Sequence, residues 1–284
     1  MTRNIIDTHV HCWNLEKAEY SWLTGDTSIL NRTYELTELN PQIEAAGVDK
    51  GVLVQAANTF EDTALMLEAA EQNTWIAGVV GWLPLMDPEA TAHKLSLDYL
   101  KNPYLKGIRH LIHNEPDPAW QLQRPVLESF KILAKHSMPY DEVGVNILHL
   151  ETAIKVMEKV PELQMVLDHL NCPPIAQQEK FGVWGERMKT AAENPNCHAK
   201  ISGMGTMTGN LSGWTKEDIK PYIAFALEHF GVDRCFCGGD WPVLLLAGNY
   251  VDTWQAYTTV LSELLDEQDQ ARVLRTNAID FYRL

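Results

Sequence analysis

Short apolar runs alternate along this chain with segments whose apolar residues recur at helical spacing. The runs Asn4–Val10, Lys50–Ala56, Trp75–Leu83, Lys106–Ile112, Gln164–Asp168, Cys197–Ser202 and Asp233–Gly238 read as strands. Tyr140–Val145 is an eighth and weaker one, interrupted by Asp141, Glu142 and Gly144. Between them, Thr37 to Ala46 carries Leu39, Ile43 and Ala46 on one face and stops at Gly47, a good residue just past a helix end. Pro125 to Lys135 opens on a proline in its first turn and aligns Val126, Phe130 and Leu133. Ile219, Ile223, Ala226 and Phe230 form a further stripe, and Trp254, Thr258, Leu261 and Leu265 another. Strand and helix in regular succession predict parallel βαβ units. Eight such units fill 284 residues with nothing left for a second domain, so residues 1–284 are expected to form one α/β domain, a (β/α)8 TIM barrel. No Gly-x-Gly-x-x-Gly follows the first strand, which argues against a dinucleotide-binding sheet. The longest irregular stretch, Cys12 to Arg32, directly follows strand one and is expected on the catalytic face.

Composition changes this picture little. Apolar residues make up 45% and charged residues 21%, as in ordinary globular proteins, and the formal net charge is −15. That acid excess argues against a nucleic-acid partner, which needs clustered Lys and Arg. No run approaches the roughly 18 apolar residues of a membrane span. Asp7 and His9 arrive before a signal-peptide core could form. Five cysteines, at 12, 172, 197, 235 and 237, show no zinc-like or Cys-x-x-Cys spacing and are expected to be reduced thiols of a cytoplasmic protein. The expected partner is a small-molecule substrate, with neither nucleic acid nor membrane; a homo-oligomer is compatible with the chain.

Candidate chemistry sits where strands end. Strand one reads Ile6-Asp7-Thr8-His9-Val10-His11; strict alternation would place Asp7, His9 and His11 on one face, turned into the barrel. Two neutral imidazoles at i and i+2 can converge on one divalent ion. A lone His-x-His is a weak signal, but this one closes the first strand with an acid two residues before it. His169 follows the run Val166-Leu167-Asp168, and Asp240 follows Cys237-Gly238-Gly239. Taken singly, a histidine after a strand is usually structural and an aspartate there is usually a helix cap. Together, three strand ends deliver His or Asp to one rim.

At this point the chain resembles the amidohydrolase superfamily, and within it the amidohydrolase 2 branch of sugar-lactone hydrolases. The resemblance is carried by Ile6-Asp7-Thr8-His9-Val10-His11, Val54-Gln55, Gly78-Val79-Val80-Gly81-Trp82, Lys106-Gly107-Ile108-Arg109, Val166-Leu167-Asp168-His169-Leu170, Lys200-Ile201-Ser202-Gly203, Gly239-Asp240-Trp241-Pro242 and Asn277-Ala278-Ile279-Asp280-Phe281-Tyr282. It implies a barrel hydrolase in which His9, His11 and Asp240, with His169 as an additional candidate, hold one divalent ion, zinc first, unless the chain works without metal, as some members of the branch do. The carboxylated lysine and the fifth-strand histidine of two-metal members have no counterpart here. Asp240 is expected to activate water, and His169 to assist at the carbonyl. Arg109 is a candidate substrate anchor or a rim ion pair; Gln55 and Lys200 could contact sugar hydroxyls or belong to a polar layer; Trp82, like Trp13, Trp22 and Trp241, could stack on a sugar ring or simply pack. His113 lies near the mouth. The alternatives are a metal-dependent decarboxylase of the same superfamily and a catalytically silent metabolite-binding barrel.

Overall fold

The structure, a computed structural model, describes residues 4–284. Eight strands form its centre: β1 (Ile5–Val10), β2 (Val48–Val54), β3 (Ile76–Gly81), β4 (Leu105–Arg109), β5 (Tyr140–Glu142), β6 (Met165–Leu167), β7 (Cys197–Ile201) and β8 (Cys235–Cys237). They lie side by side in chain order, each parallel to the next. Helices separate them: α1 (Leu36–Ile43), α2 (Phe60–Gln72), α3 (Pro88–Leu97), α4 (Arg124–Lys135), α5 (Ile147–Lys159), α6 (Gly182–Ala192) and α7 (Lys216–Phe230). After β8 come α8 (Tyr250–Leu264), α9 (Glu267–Ala271) and α10 (Asn277–Tyr282). This is the expected (β/α)8 barrel, nearly closed on itself.

Closure is made just beyond β8. The Asp240 N–H donates to the His9 carbonyl and the His11 N–H to the Trp241 carbonyl, both at 2.7 Å. The Thr8 hydroxyl adds a bond to the Cys237 carbonyl at 2.8 Å. The two strand ends that carry the candidate His-x-His and Asp are therefore stitched to each other.

Local signals explain the helices. Thr59 caps α2 by accepting from the Asp62 N–H, Asn146 caps α5, and Thr215 with Asp218 forms a capping box on α7. α4 buries Val126, Phe130 and Leu133, the stripe read from its sequence. The main apolar core lies between strands and helices. A second, smaller cluster fills the barrel itself: Ile6, Val52, Val54, Val80, Val166 and Phe236, packed with Ala278, Phe281 and Tyr282 of α10.

Strict alternation fails in β1. The pairing with β2 slips between Asp7 and Val10, an irregularity that re-aims side chains. Ile6 joins the interior cluster. Asp7 turns instead to the β8 segment and α8, accepting from the Gly239 N–H at 2.7 Å and the Tyr250 hydroxyl at 2.7 Å. His9 and His11 alone reach the site, so the expected sharing of one face by all three residues is corrected. The loop after β1 runs back across the mouth, where Trp13 and Tyr34 pair as an antiparallel bridge. It is anchored by Trp22, whose indole donates to the Ala56 carbonyl at 2.8 Å, and by Tyr20, which donates to Asp62 at 2.8 Å.

Candidate active site

At the carboxyl ends of the strands a cavity of about 250 Å3 is lined by His11, Arg109, His113, His169, Thr206 and Asp240 on its polar side. Trp13, Trp22, Ala56, Leu111, Val143, Val145, Met207 and Val243 supply an apolar wall. A second cavity, of about 170 Å3, lies behind the β1 loop, away from the strand ends.

The histidine tautomers follow from their partners. His11 Nδ1 lies 2.7 Å from the Val54 carbonyl, which can only accept, so the proton sits on Nδ1 and the Nε2 lone pair is free. His9 Nε2 accepts from Arg109 Nη1 at 3.1 Å, which can only donate, so this nitrogen is unprotonated, with its lone pair held by Arg109 unless an ion takes it over. The two Nε2 atoms face each other at 3.2 Å. Asp240 Oδ1 stands 3.3 Å from His11 Nε2 and 3.8 Å from His9 Nε2. Three acceptors at these separations approximate the edges of a tetrahedral zinc shell, about 3.4 Å for bonds near 2.1 Å. His9, His11 and Asp240 could therefore hold one divalent ion. His9, Asp168 and His169 form a second close group, but Asp168 is already bound by two cations.

Below the cradle lies a buried ionic layer. Asp168 accepts from Arg109 at 3.1 Å and pairs with Lys200 at 2.7 Å; Lys200 also pairs with Asp141 at 2.5 Å. Tyr282 donates to Asp141 at 2.7 Å. Burial alone would raise the Asp168 carboxyl, but Lys200, then His9 and Arg109, hold it well below the usual range. Burial also keeps His9 and His169 below the ordinary histidine range, and pushes His113 down to about 4, with Arg109 beside it the next cause. Burial thus favours the uncharged form of these imidazoles.

The positions of the remaining candidates are distinct. Arg109 lines the cavity, and Asp168, His9 and the Gln55 carbonyl occupy its Nη atoms. Lys200 has no solvent exposure and belongs to the polar layer rather than to the lining. Gln55 is equally buried, its amide donating to the Arg109 carbonyl at 3.1 Å. Trp82 is turned to the rim: its indole donates to His110 at 3.0 Å and its ring meets Phe60 edge-on. None of these three contributes to the cavity lining. The strand pattern gave no role to Asp168, Asp141 or Ser202; the inward period of β7, which puts Lys200 and Ser202 on one side, was the available signal.

A His-His-Asp cluster at the carboxyl ends of the strands lies where enzymes of this barrel fold carry their chemistry. The chain belongs to the amidohydrolase family, whose sequence profile matches residues 6–284. It is 32% identical over 283 residues to L-fucono-1,5-lactonase of Burkholderia ambifaria, covering 98% of this chain and 95% of that protein. It is 28% identical over 264 residues to L-fucono-1,5-lactonase of Burkholderia multivorans, with coverage of 86% and 84%. A crystal structure of a Burkholderia multivorans amidohydrolase with bound zinc superposes with a TM-score of 0.91 at 27% identity, over 99% of each chain.

Proposed function

We infer that this protein hydrolyses sugar lactones, opening the ring of a small, uncharged aldonolactone. The observation that carries this reading is the cavity: carboxylate and imidazoles on one side, an apolar wall on the other, and Arg109, already neutralised by Asp168, as the one Lys or Arg among the described lining residues. Among the lining side chains a dicarboxylate or an aromatic acid would find no cation that is not already paired. A neutral lactone needs none. The apolar wall suits the methyl group of a 6-deoxyhexono-lactone, the class named for the L-fucono-1,5-lactonase relatives.

The reaction runs through Asp240. Its carboxylate takes a proton from water as the water oxygen attacks the lactone carbonyl carbon. The tetrahedral oxyanion faces His169, which donates to it. Collapse breaks the bond to the ring oxygen, which recovers the proton from Asp240 and leaves as a hydroxyl. The product is an open-chain sugar acid that has gained one water. A carboxylate is a weak base, which suits an activated ester better than an amide. A divalent ion bound by His9, His11 and Asp240 would supply Lewis-acid polarisation of a bound oxygen. Five cysteines without disulfide partners suit a reducing, cytoplasmic compartment.

The test is a pH-indicator assay over pentono-, hexono- and 6-deoxyhexono-lactones, with and without chelator. Acid release, fastest on a deoxyhexono-lactone, is expected. Silence across the panel together with carbon dioxide release from a hydroxybenzoate would replace the hydrolase by a decarboxylase. In parallel, zinc should raise Tm in the unaltered protein and not in His11→Ala, because ligand binding stabilises only the fold that binds it.

A further inference from the structure

The motif Lys200-Ile201-Ser202-Gly203 at the end of β7 is only half explained by the ionic layer, which uses Lys200. Ser202 is fully buried. Its Oγ accepts the His169 backbone N–H at 3.2 Å and lies 2.9 Å from His169 Nδ1. The described residues offer the hydroxyl proton no other acceptor, and solvent does not reach it. A hydroxyl has one proton to give, and an unpaired buried donor is costly. We propose that Ser202 is a positioning residue: it donates to His169 Nδ1 and so fixes the imidazole as the Nε2–H tautomer, presenting a neutral N–H to the cavity.

The surroundings hold the same arrangement. His169 opens a run of four left-handed residues, His169, Leu170, Asn171 and Cys172, with φ of 56, 49, 51 and 54°. Non-glycine residues adopt this conformation at a cost of about 1–2 kcal/mol each, so the turn persists through what it is bonded to. Gly203, at φ +60°, leaves room for it: a Cβ there would stand 2.9 Å from both His169 Nδ1 and Asp240 Oδ2. Ser202 and Gly203 therefore set the imidazole and the carboxylate against each other from one point of the chain. An Nε2 that carries a proton is a hydrogen-bond donor and not a metal ligand, which removes His169 from the cradle and leaves it to the substrate oxygen. The catalytic meaning of this donor rests on the lactone-hydrolase reading; the tautomer does not.

The experiment is long-range 1H–15N correlation on protein with 15N-labelled histidine, for the unaltered chain and for Ser202→Ala and Ser202→Thr. The unaltered protein should show the Nε2–H pattern for His169, and added zinc should shift the nitrogens of His9 and His11 but leave that pattern intact. Ser202→Ala should give mixed tautomers and lower kcat about 10- to 100-fold with KM little changed, the range for losing a group that orients an active imidazole. Ser202→Thr, which keeps the hydroxyl, should restore the single tautomer. An Nδ1–H pattern in the unaltered protein, a zinc-bound His169 signal, or an unchanged pattern in Ser202→Ala would each overturn the proposal. A protein inactive on every lactone yet showing the Nε2–H pattern would overturn the hydrolase reading and support the tautomer.

Discussion

Asp240 shows how little a single residue type says until its neighbours are placed. It adopts φ 67°, a left-handed backbone uncommon for a residue with a side chain. Its N–H is spent on the His9 carbonyl and its carboxylate is turned to the imidazoles. A helix cap would have turned that carboxylate to backbone N–H groups instead. Asp240→Asn keeps the shape and loses the proton acceptor, so kcat should fall about 10^2- to 10^4-fold with the circular dichroism spectrum unchanged. Near-normal turnover would remove Asp240 from the reaction.

Strand by strand, the sequence made most of this visible and hid a particular remainder. The alternation of strands and helices needs only local periodicity, so all eight βα units could be read. β5 was hardest because Asp141 and Glu142 look like surface charges. In the barrel they are buried, Asp141 held by Lys200 and Tyr282, and Glu142 by Gln121. Charges that pair across a closed interior break the polar-out rule, and a linear pattern cannot show which strands will face each other. The slip in β1 is hidden for a similar reason: it is settled by pairing with β2, and it sends Asp7 away from the site. A polar layer was legible as one reading of Gln55 and Lys200, and an ion pair as one reading of Arg109, but not that Lys200 and Arg109 share Asp168 in a single ion-paired layer. That layer makes a stability prediction. Lys200→Met leaves Asp141 without its cation and Asp168 with one fewer, which should cost about 3–5 kcal/mol in chemical denaturation. Unaltered stability would mean that the layer is dispensable.

For the molecule as a whole, the described helices include none long and apolar enough to cross a membrane. Its pH behaviour is set in part by one buried acid. Burial pushes Glu142 up to about 8. A carboxyl whose folded pKa lies above its unfolded value near 4.5 favours the fold while protonated, so its contribution is complete below about pH 4.5. It is lost as pH rises towards 8. Glu142→Gln should therefore flatten the decline in stability over that window and raise Tm at pH 8, by an amount on the order of a few kcal/mol in free energy. Parallel melting curves for both proteins from pH 5 to 8 would exclude this role for Glu142.

The stitching of β1 to the segment after β8 has a consequence for assembly. His9 and His11 are near the start of the chain and Asp240 more than two hundred residues later, and the bonds that complete the cylinder are made by these same residues. A partly built cylinder, however much of its core it has packed, holds two imidazoles with no carboxylate opposite them. The proposed site therefore exists only where this seam is made, because the residues that face each other across it are the ones that join the two ends of the barrel.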